Sequence, residues 1–318
     1  MTLAKALAMY VAQNNLAPKT QRKLSHRLNC WQRHSAARTV AAITATAFAR
    51  FREAAQAAGL AVRTIEETVS DVGRICGLKD VGPRLRGWKR IVCRPVPEIE
   101  IINRAYEGAG MAVWPNSPKS RTPELKTVDN ATFWRAYLAV GFHTGLREND
   151  MRRITWDAIG LQRIDWQASK TKRPHVFPVD DVLRRHLEPL RSTAMTDRVF
   201  PISDSQTRFV RAELKRISGD SGLTAQPLRR AALTAWAQAD RTACEIIHGC
   251  GLGVLQHYLG ADRILQDAMP RRAWPVAFLT AEERETQRLK LDELTRLGKR
   301  LPPEQLDNLI KVGQAFSA

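Results

Sequence analysis

The chain has little sulfur to work with. Its five cysteines, at 30, 76, 93, 244 and 250, form no C-x-x-C pair and no regular framework. That argues against a disulfide scaffold and against a zinc site, and fits reduced thiols. Long apolar runs are missing too, so nothing approaches a membrane span. At the N-terminus Lys5 interrupts a short Ala/Leu run and polar Gln13-Asn14-Asn15 follows, which does not make a signal peptide. A cytoplasmic protein without membrane contact is expected. Acidic residues are also in short supply, 32 against 50 Lys and Arg, leaving a formal charge of +18. Such an excess favours a polyanionic partner, because it releases the counterions condensed on nucleic acid. With 318 residues, the chain is long enough for two domains.

Against these absences, the stretch from Leu223 to Tyr258 concentrates chemistry. Gln226-Pro227-Leu228-Arg229 precedes the Ala-rich run Ala231–Ala239, and proline is well tolerated at a first helical position. This places Arg229 in a first turn, where backbone N–H groups and the helix dipole add to its guanidinium in holding an anion such as phosphate. Thr242 and Glu245 have capping-box spacing for a second short helix. Gly249, Gly251 and Gly253 stop it just beyond His248, and Tyr258 lies ten residues after that histidine.

Upstream, Thr144-Gly145-Leu146-Arg147-Glu148-Asn149-Asp150 is followed by Ile154-Thr155-Trp156-Asp157. Between the two regions lie Ala168-Ser169-Lys170-Thr171-Lys172-Arg173 and then Val176-Phe177-Pro178-Val179. In order and spacing this set resembles the tyrosine recombinase (phage integrase) family. The family's pattern runs T-G-L-R with a W-x-D box, a lysine-bearing β-hairpin, H-x-x-R, a G-H or related box, and a nucleophilic tyrosine.

The resemblance implies catalytic roles for Arg147, Lys170, Gln226, Arg229, His248 and Tyr258. Arg147 and Arg229 would hold the phosphate, Lys170 would protonate the leaving 5′ oxygen, and Tyr258 would attack to form a 3′-phosphotyrosyl link. Lys172 and His257 are lesser claimants for the lysine and histidine roles. It implies no cofactor, no metal, double-stranded DNA as partner, and a homo-oligomer, a tetramer on DNA. Asp150 would orient Arg147 through an ion pair. One departure matters: Gln226 stands where the family most often has His, and an amide cannot accept and return a proton near neutral pH. The expected function is a site-specific recombinase or integrase. The alternatives are a catalytically impaired DNA-binding protein of the same fold and a type IB topoisomerase-like enzyme.

The expected fold is mainly α with a small β-sheet (α+β), in two domains. Residues 1–112 read as an all-helical unit, with helices over Leu3–Asn14, from Pro18 through Trp31, Ile43–Ala58 and Ala61–Ile75, and Ile99–Ala112 as its terminal helix. Residues 1–110 hold 18 basic and 8 acidic side chains, a net +10. This layout resembles the family's core-binding (SAM-like) domain. Lys19, Arg22, Lys23 and Arg27 on one helix and Arg84, Arg86, Lys89 and Arg90 in a basic run are the candidate phosphate contacts.

A linker is expected over 113–128, where Pro and Ser cluster. The catalytic domain follows over 129–279, opening at an Asp129/Asn130 cap, with strands within Gly160–Val179 and helices over Asp180–Leu190 and Asp204–Ile217. An amphipathic helical tail covers 280–318, with Leu289, Leu291, Leu294, Leu297 and Leu301 on one face. Residues 281–318 hold seven basic and seven acidic side chains, so this end is not a DNA arm. It would dock either in cis or in a neighbouring protomer.

Overall fold

The computed structural model describes residues 1–78, 80–86, 95–116, 128–169, 174–248, 269 and 272–298. The chain forms two compact units, Met1–Arg94 and Pro95–Ala318.

The first unit is all helical: α1 (Leu3–Gln13), α2 (Pro18–His34), α3 (Ala45–Ala57) and α4 (Val62–Ile75). Two of these helices start on hydroxyl caps, Thr2 accepting from the Lys5 amide and Thr44 from the Ala47 amide, and α2 starts on Pro18, whose fixed φ suits a first turn. Gly59, at φ +75°, supplies the left-handed turn that ends α3. The core is aromatic and β-branched. Trp31 stacks on Phe51 at 4.7 Å and meets the edge of Phe48 at 5.4 Å, with Ile65, Val69 and Val72 of α4 buried beneath them. Glu66 is fully buried on the same helix. Burial pushes its carboxyl up, but hydrogen bonds from Arg52, the Leu85 amide and Arg84 outweigh that and leave it below the ordinary range.

The second unit holds α5 (Ile99–Glu107), α6 (Asn130–Thr144), α7 (Glu148–Met151), the antiparallel hairpin β1 (Arg163–Gln167) and β2 (Pro174–Pro178), then α8 (Asp181–Ser192), α9 (Thr207–Ser218), α10 (Ala225–Ala239), α11 (Arg241–His248) and α12 (Ala281–Gly298). The α+β class and the hairpin agree with the sequence reading. Helix α6 is the axis: from Phe133 to Thr144 all but Arg135 is buried, so it shows little amphipathicity, as befits a helix enclosed on every side. Asp129 caps it, accepting from the Thr132 amide at 2.8 Å. Gly145, at φ +57°, ends it.

Three boundaries differ from the sequence reading. Helix α5 belongs to the second unit, where Ile102 and Ala105 join the core built on α6. Its amphipathic pattern says only that one face is buried, not against what. Helix α10 starts at Ala225 with Thr224 as its cap residue, which puts Pro227 third and Arg229 fifth, outside the first turn. Proline is tolerated there because the first four helical N–H groups have no intrahelical partner. The cap of α11 is Asp240, which accepts from the Ala243 amide at 2.9 Å, so Thr242 lies inside the helix and the expected capping box is not used.

A close approach fixes α5 against α9: a Cβ on Gly108 would lie 2.2 Å from the Ile217 carbonyl oxygen, whereas one on Gly110 would meet nothing. Gly108→Ala should therefore lower unfolding free energy by about 1–3 kcal/mol, as overpacking does. Gly110→Ala should stay within about 0.5 kcal/mol. Denaturant melts of the two variants check this, and equal behaviour would contradict the packing.

Candidate active site

The site is built at the C-terminal end of α6. The last carbonyls of a helix have no intrahelical donors, and here side chains from distant segments supply them. Arg229 of α10 donates to the Gly145 carbonyl, Trp236 of the same helix donates to the His143 carbonyl at 2.7 Å, and Arg272 donates to the Phe142 carbonyl at 2.9 Å. Helix α10 packs closely here, since a Cβ on Gly141 would lie 2.5 Å from a Leu228 methyl carbon. Arg229 is thus fixed beside the turn that leads into Arg147, the residue that caps α7.

Among the described residues no ion pair joins Arg147 to Glu148 or Asp150, contrary to the sequence reading. Glu148 pairs with Arg211 at 2.8 Å. Asp150 is buried and accepts from the Ser169 amide at 2.9 Å. Its neighbour Asn149 donates to the Ser169 hydroxyl at 2.8 Å and accepts from Arg152 at 2.8 Å. The carboxylate, one methylene shorter than Glu, grips the hairpin immediately before Lys170 in place of the guanidinium.

His175 of β2 was not singled out from the sequence, and it is where the segments meet. It is buried, and its Nδ1 is hydrogen-bonded to the carbonyl of Ile247, next to the end of α11. A carbonyl only accepts, so Nδ1 carries the proton. Burial holds the imidazole below the ordinary histidine range. The Ile247 hydrogen bond works against this, Arg229 and Arg147 add to it, and Asp150 opposes it. One side chain thus senses both arginines, the α7 acid and the end of α11. Only the alternation of a strand could have flagged it, and that marks burial without saying what lies nearby.

Of the other candidates, Gln226 is exposed in the first turn of α10. His248 is the last residue of α11, and its side chain lies outside the described residues. Lys170, Lys172, His257 and Tyr258 also lie outside them. In the first unit Lys19, Arg22 and Arg86 are exposed. Three further candidates are engaged within the unit. Lys23 pairs with Asp71 at 3.6 Å, Arg27 with Glu67 while donating to the Thr64 carbonyl at 3.3 Å, and Arg84 with Glu66 at 3.0 Å and Ser70 at 2.7 Å. Lys89 and Arg90 lie outside the described residues. Among those described, no cluster of His, Cys, Asp and Glu side chains is arranged to hold a metal ion, and no helix is long and apolar enough to cross a membrane.

No family model matches the chain, and no curated protein matches its sequence. Solved structures do match in fold. A lambda integrase (residues 75–356) dimer bound to a COC′ core site superposes with a TM-score of 0.57 at 18% identity, covering 80% of this chain and 97% of that one. A lambda integrase tetramer bound to a Holliday junction gives 0.55 at 18% identity, over 81% of this chain and 80% of that one. The Tn1549 transposon integrase (residues 82–397) in complex with circular intermediate DNA gives 0.54 at 10% identity, over 84% and 99%. The chain has the fold of the tyrosine recombinases.

Three buried histidines set a pH limit on this unit. Burial and the Arg272 charge push His143 down to about 4, against Asp180 and the Pro178 carbonyl. Burial also lowers His175 and His186. Unfolded histidines titrate near ~6.5, so below that pH the unfolded chain binds more protons than the folded one. Stability then falls with falling pH, by up to about 1.4 kcal/mol per pH unit for each histidine. Melting temperature should hold near pH 7 and drop steadily between pH 6.5 and 5.5, above the range where the carboxylates titrate. A flat profile across that window would contradict the buried neutral assignment.

Proposed function

We propose that this chain is a site-specific DNA recombinase that cleaves and rejoins strands through a 3′-phosphotyrosyl link to Tyr258. The observation that carries the reading is the convergence on His175 and the end of α6, which brings Arg147 and Arg229, 82 residues apart in sequence, into one electrostatic neighbourhood. A phosphodiester is already negative, and attack by an oxygen nucleophile spreads more charge onto its nonbridging oxygens. Two guanidiniums held by packed helices stabilise that state more than the ground state. Arg229 is fixed in place by its donation to the Gly145 carbonyl. The Arg147 charge is unpaired with the adjacent acids.

Tyr258 supplies the nucleophile, and its ester conserves the bond energy so that a DNA hydroxyl reseals the strand without ATP. Lys170, the residue after Ser169 in sequence, protonates the leaving 5′ oxygen. Gln226 donates a hydrogen bond to the phosphate without moving a proton, and His248 is the proton-handling side chain next in the chain. The DNA partner is supported by the net charge of +18 and by the DNA present in the similar structures. Assembly as a homo-oligomer on DNA is supported by the dimer and tetramer among them. Residues 1–94, with exposed Lys19, Arg22 and Arg86, form the second DNA-gripping unit in this reading.

One observation favours a second reading, a DNA-binding protein that has lost cleavage: Gln226 occupies the general-base position, and such assistance is worth ~10²–10⁴-fold. Trapping covalent protein–DNA adducts on genomic DNA and sequencing the attached ends separates the two readings and identifies the site. The recombinase reading predicts adducts that Tyr258→Phe abolishes. Arg147→Ala or Arg229→Ala should slow them by about 10²–10³-fold, with DNA affinity changed far less. Tight binding with no adduct would establish the second reading.

A further inference from the structure

A buried guanidinium lies beyond the residues that the motifs point to. Arg272 is 4% exposed, and among the described residues no carboxylate pairs with it. Burial lowers its pKa to about 10, with Asp180 acting in the opposite direction. Its charge sits among three aromatic faces, 4.9 Å from Phe142, 4.9 Å from Trp236 and 4.6 Å from Trp274. Its fork makes two polar contacts, donating to the Phe142 carbonyl at 2.9 Å and to His143 Nδ1 at 3.1 Å. Nε is buried without a partner. The His143 contact is a true acceptor, because the other ring nitrogen lies 2.5 Å from the Pro178 carbonyl. A carbonyl cannot donate, so Nε2 carries the proton and Nδ1 is free to accept.

Satisfying the Phe142 carbonyl calls for a donor but not for a charge, as the neutral Trp236 shows at the His143 carbonyl. A buried charge without a direct counter-ion is costly, and an apolar side chain of similar volume is often neutral or stabilising in such a place. What a guanidinium adds is directional: planar stacking and two fixed donors accept one register of the chain, where an apolar side chain would accept several.

The register it fixes is significant. Phe142 and His143 form the last turn of α6 leading to Arg147, and Trp236 lies seven residues, two helical turns, beyond Arg229 on α10. Tyr258 lies in sequence between the end of α11 at His248 and Arg272.

We propose that Arg272 is a positioning residue that anchors the chain on the C-terminal side of Tyr258 to α6, which leads into Arg147, and to α10, which bears Arg229. The proposal rests on the recombinase reading. In it α11 ties down one end of the nucleophile segment, and the Arg272 cage ties down the other. Loss of Arg272 removes that anchor, which reduces alignment of the phenol for attack and leaves the phosphate-binding arginines in place.

The test uses the full chain carrying Arg272→Met, with Arg272→Lys as a variant that keeps charge and stem should the first fail to fold. On DNA sites recovered by adduct trapping, the adduct rate at saturating DNA should fall by about 10²-fold, the scale of a small misplacement of a reacting group, while DNA affinity is unchanged. In a Tyr258→Phe background, strand cleavage by an added small oxygen nucleophile such as hydrogen peroxide depends on the arginines alone. It should proceed at the same rate with and without the Arg272 substitution. Hydrogen exchange should become faster for residues 272–279 and stay unchanged in α6 and α10.

An unchanged adduct rate in a wild-type chain that reacts would overturn this role and leave the recombinase reading standing. Parallel loss of the phenol-dependent and peroxide-dependent reactions would also overturn it, by showing that Arg272 supports the arginines themselves. A wild-type chain that forms no adduct on any DNA overturns both.

Discussion

The carbonyl groups at the end of α6 are the constraint from which the rest of the second unit follows. A helix ends with acceptors that its own backbone cannot satisfy and with the negative end of its dipole. In this chain Gly145 turns the backbone away at φ +57°. The carbonyls of Phe142, His143 and Gly145 accept from Arg272, Trp236 and Arg229. Two of the three donors are cations, which a helix C-terminus favours. Buried acceptors left open would each cost about 1–3 kcal/mol. The arrangement therefore satisfies the helix end and, by the same contacts, assembles residues from three distant parts of the sequence.

The proposed function depends on where those contacts hold the charged groups. Arg229 donates to the Gly145 carbonyl, and Glu148 and Asp150 turn to Arg211 and to the Ser169 amide and not to Arg147. His175 and His143 are kept neutral by burial and by the cations near them, which avoids adding charge to the interior at neutral pH. In the proposed function this arrangement holds the two guanidiniums in place beforehand, the kind of environment that stabilises a transition state with growing negative charge without reorganisation.

The sequence was informative where chemistry and local structure coincide. The Thr144–Asp150 box, the hairpin with Val176–Val179, the Arg229 helix and the Asp129 cap could all be read because turn glycines, alternation and capping side chains act over a few residues. What stayed hidden depends on contacts between distant segments. Nothing local distinguishes Arg272 from a solvated arginine, or says that His175 faces two guanidiniums. The basic residues of α2 looked like a free stripe, yet Lys23 and Arg27 are paired with acids of α4, some forty residues on or more. The amphipathic pattern of Ile99–Glu107 was visible, and the unit that it joins was not. Thr242 was the cap expected for α11, and the geometry gives that role to Asp240.

The most direct test of the central claim is a structure of the full chain on a duplex nicked next to the recovered cleavage point, with Tyr258→Phe to hold it unreacted. The account predicts the target phosphate bound by Arg147 and Arg229 together at the end of α6, with the ring of residue 258 in line with the phosphorus and opposite the 5′ oxygen. A phosphate bound elsewhere, or a ring that no copy in the complex brings to it, would contradict the account.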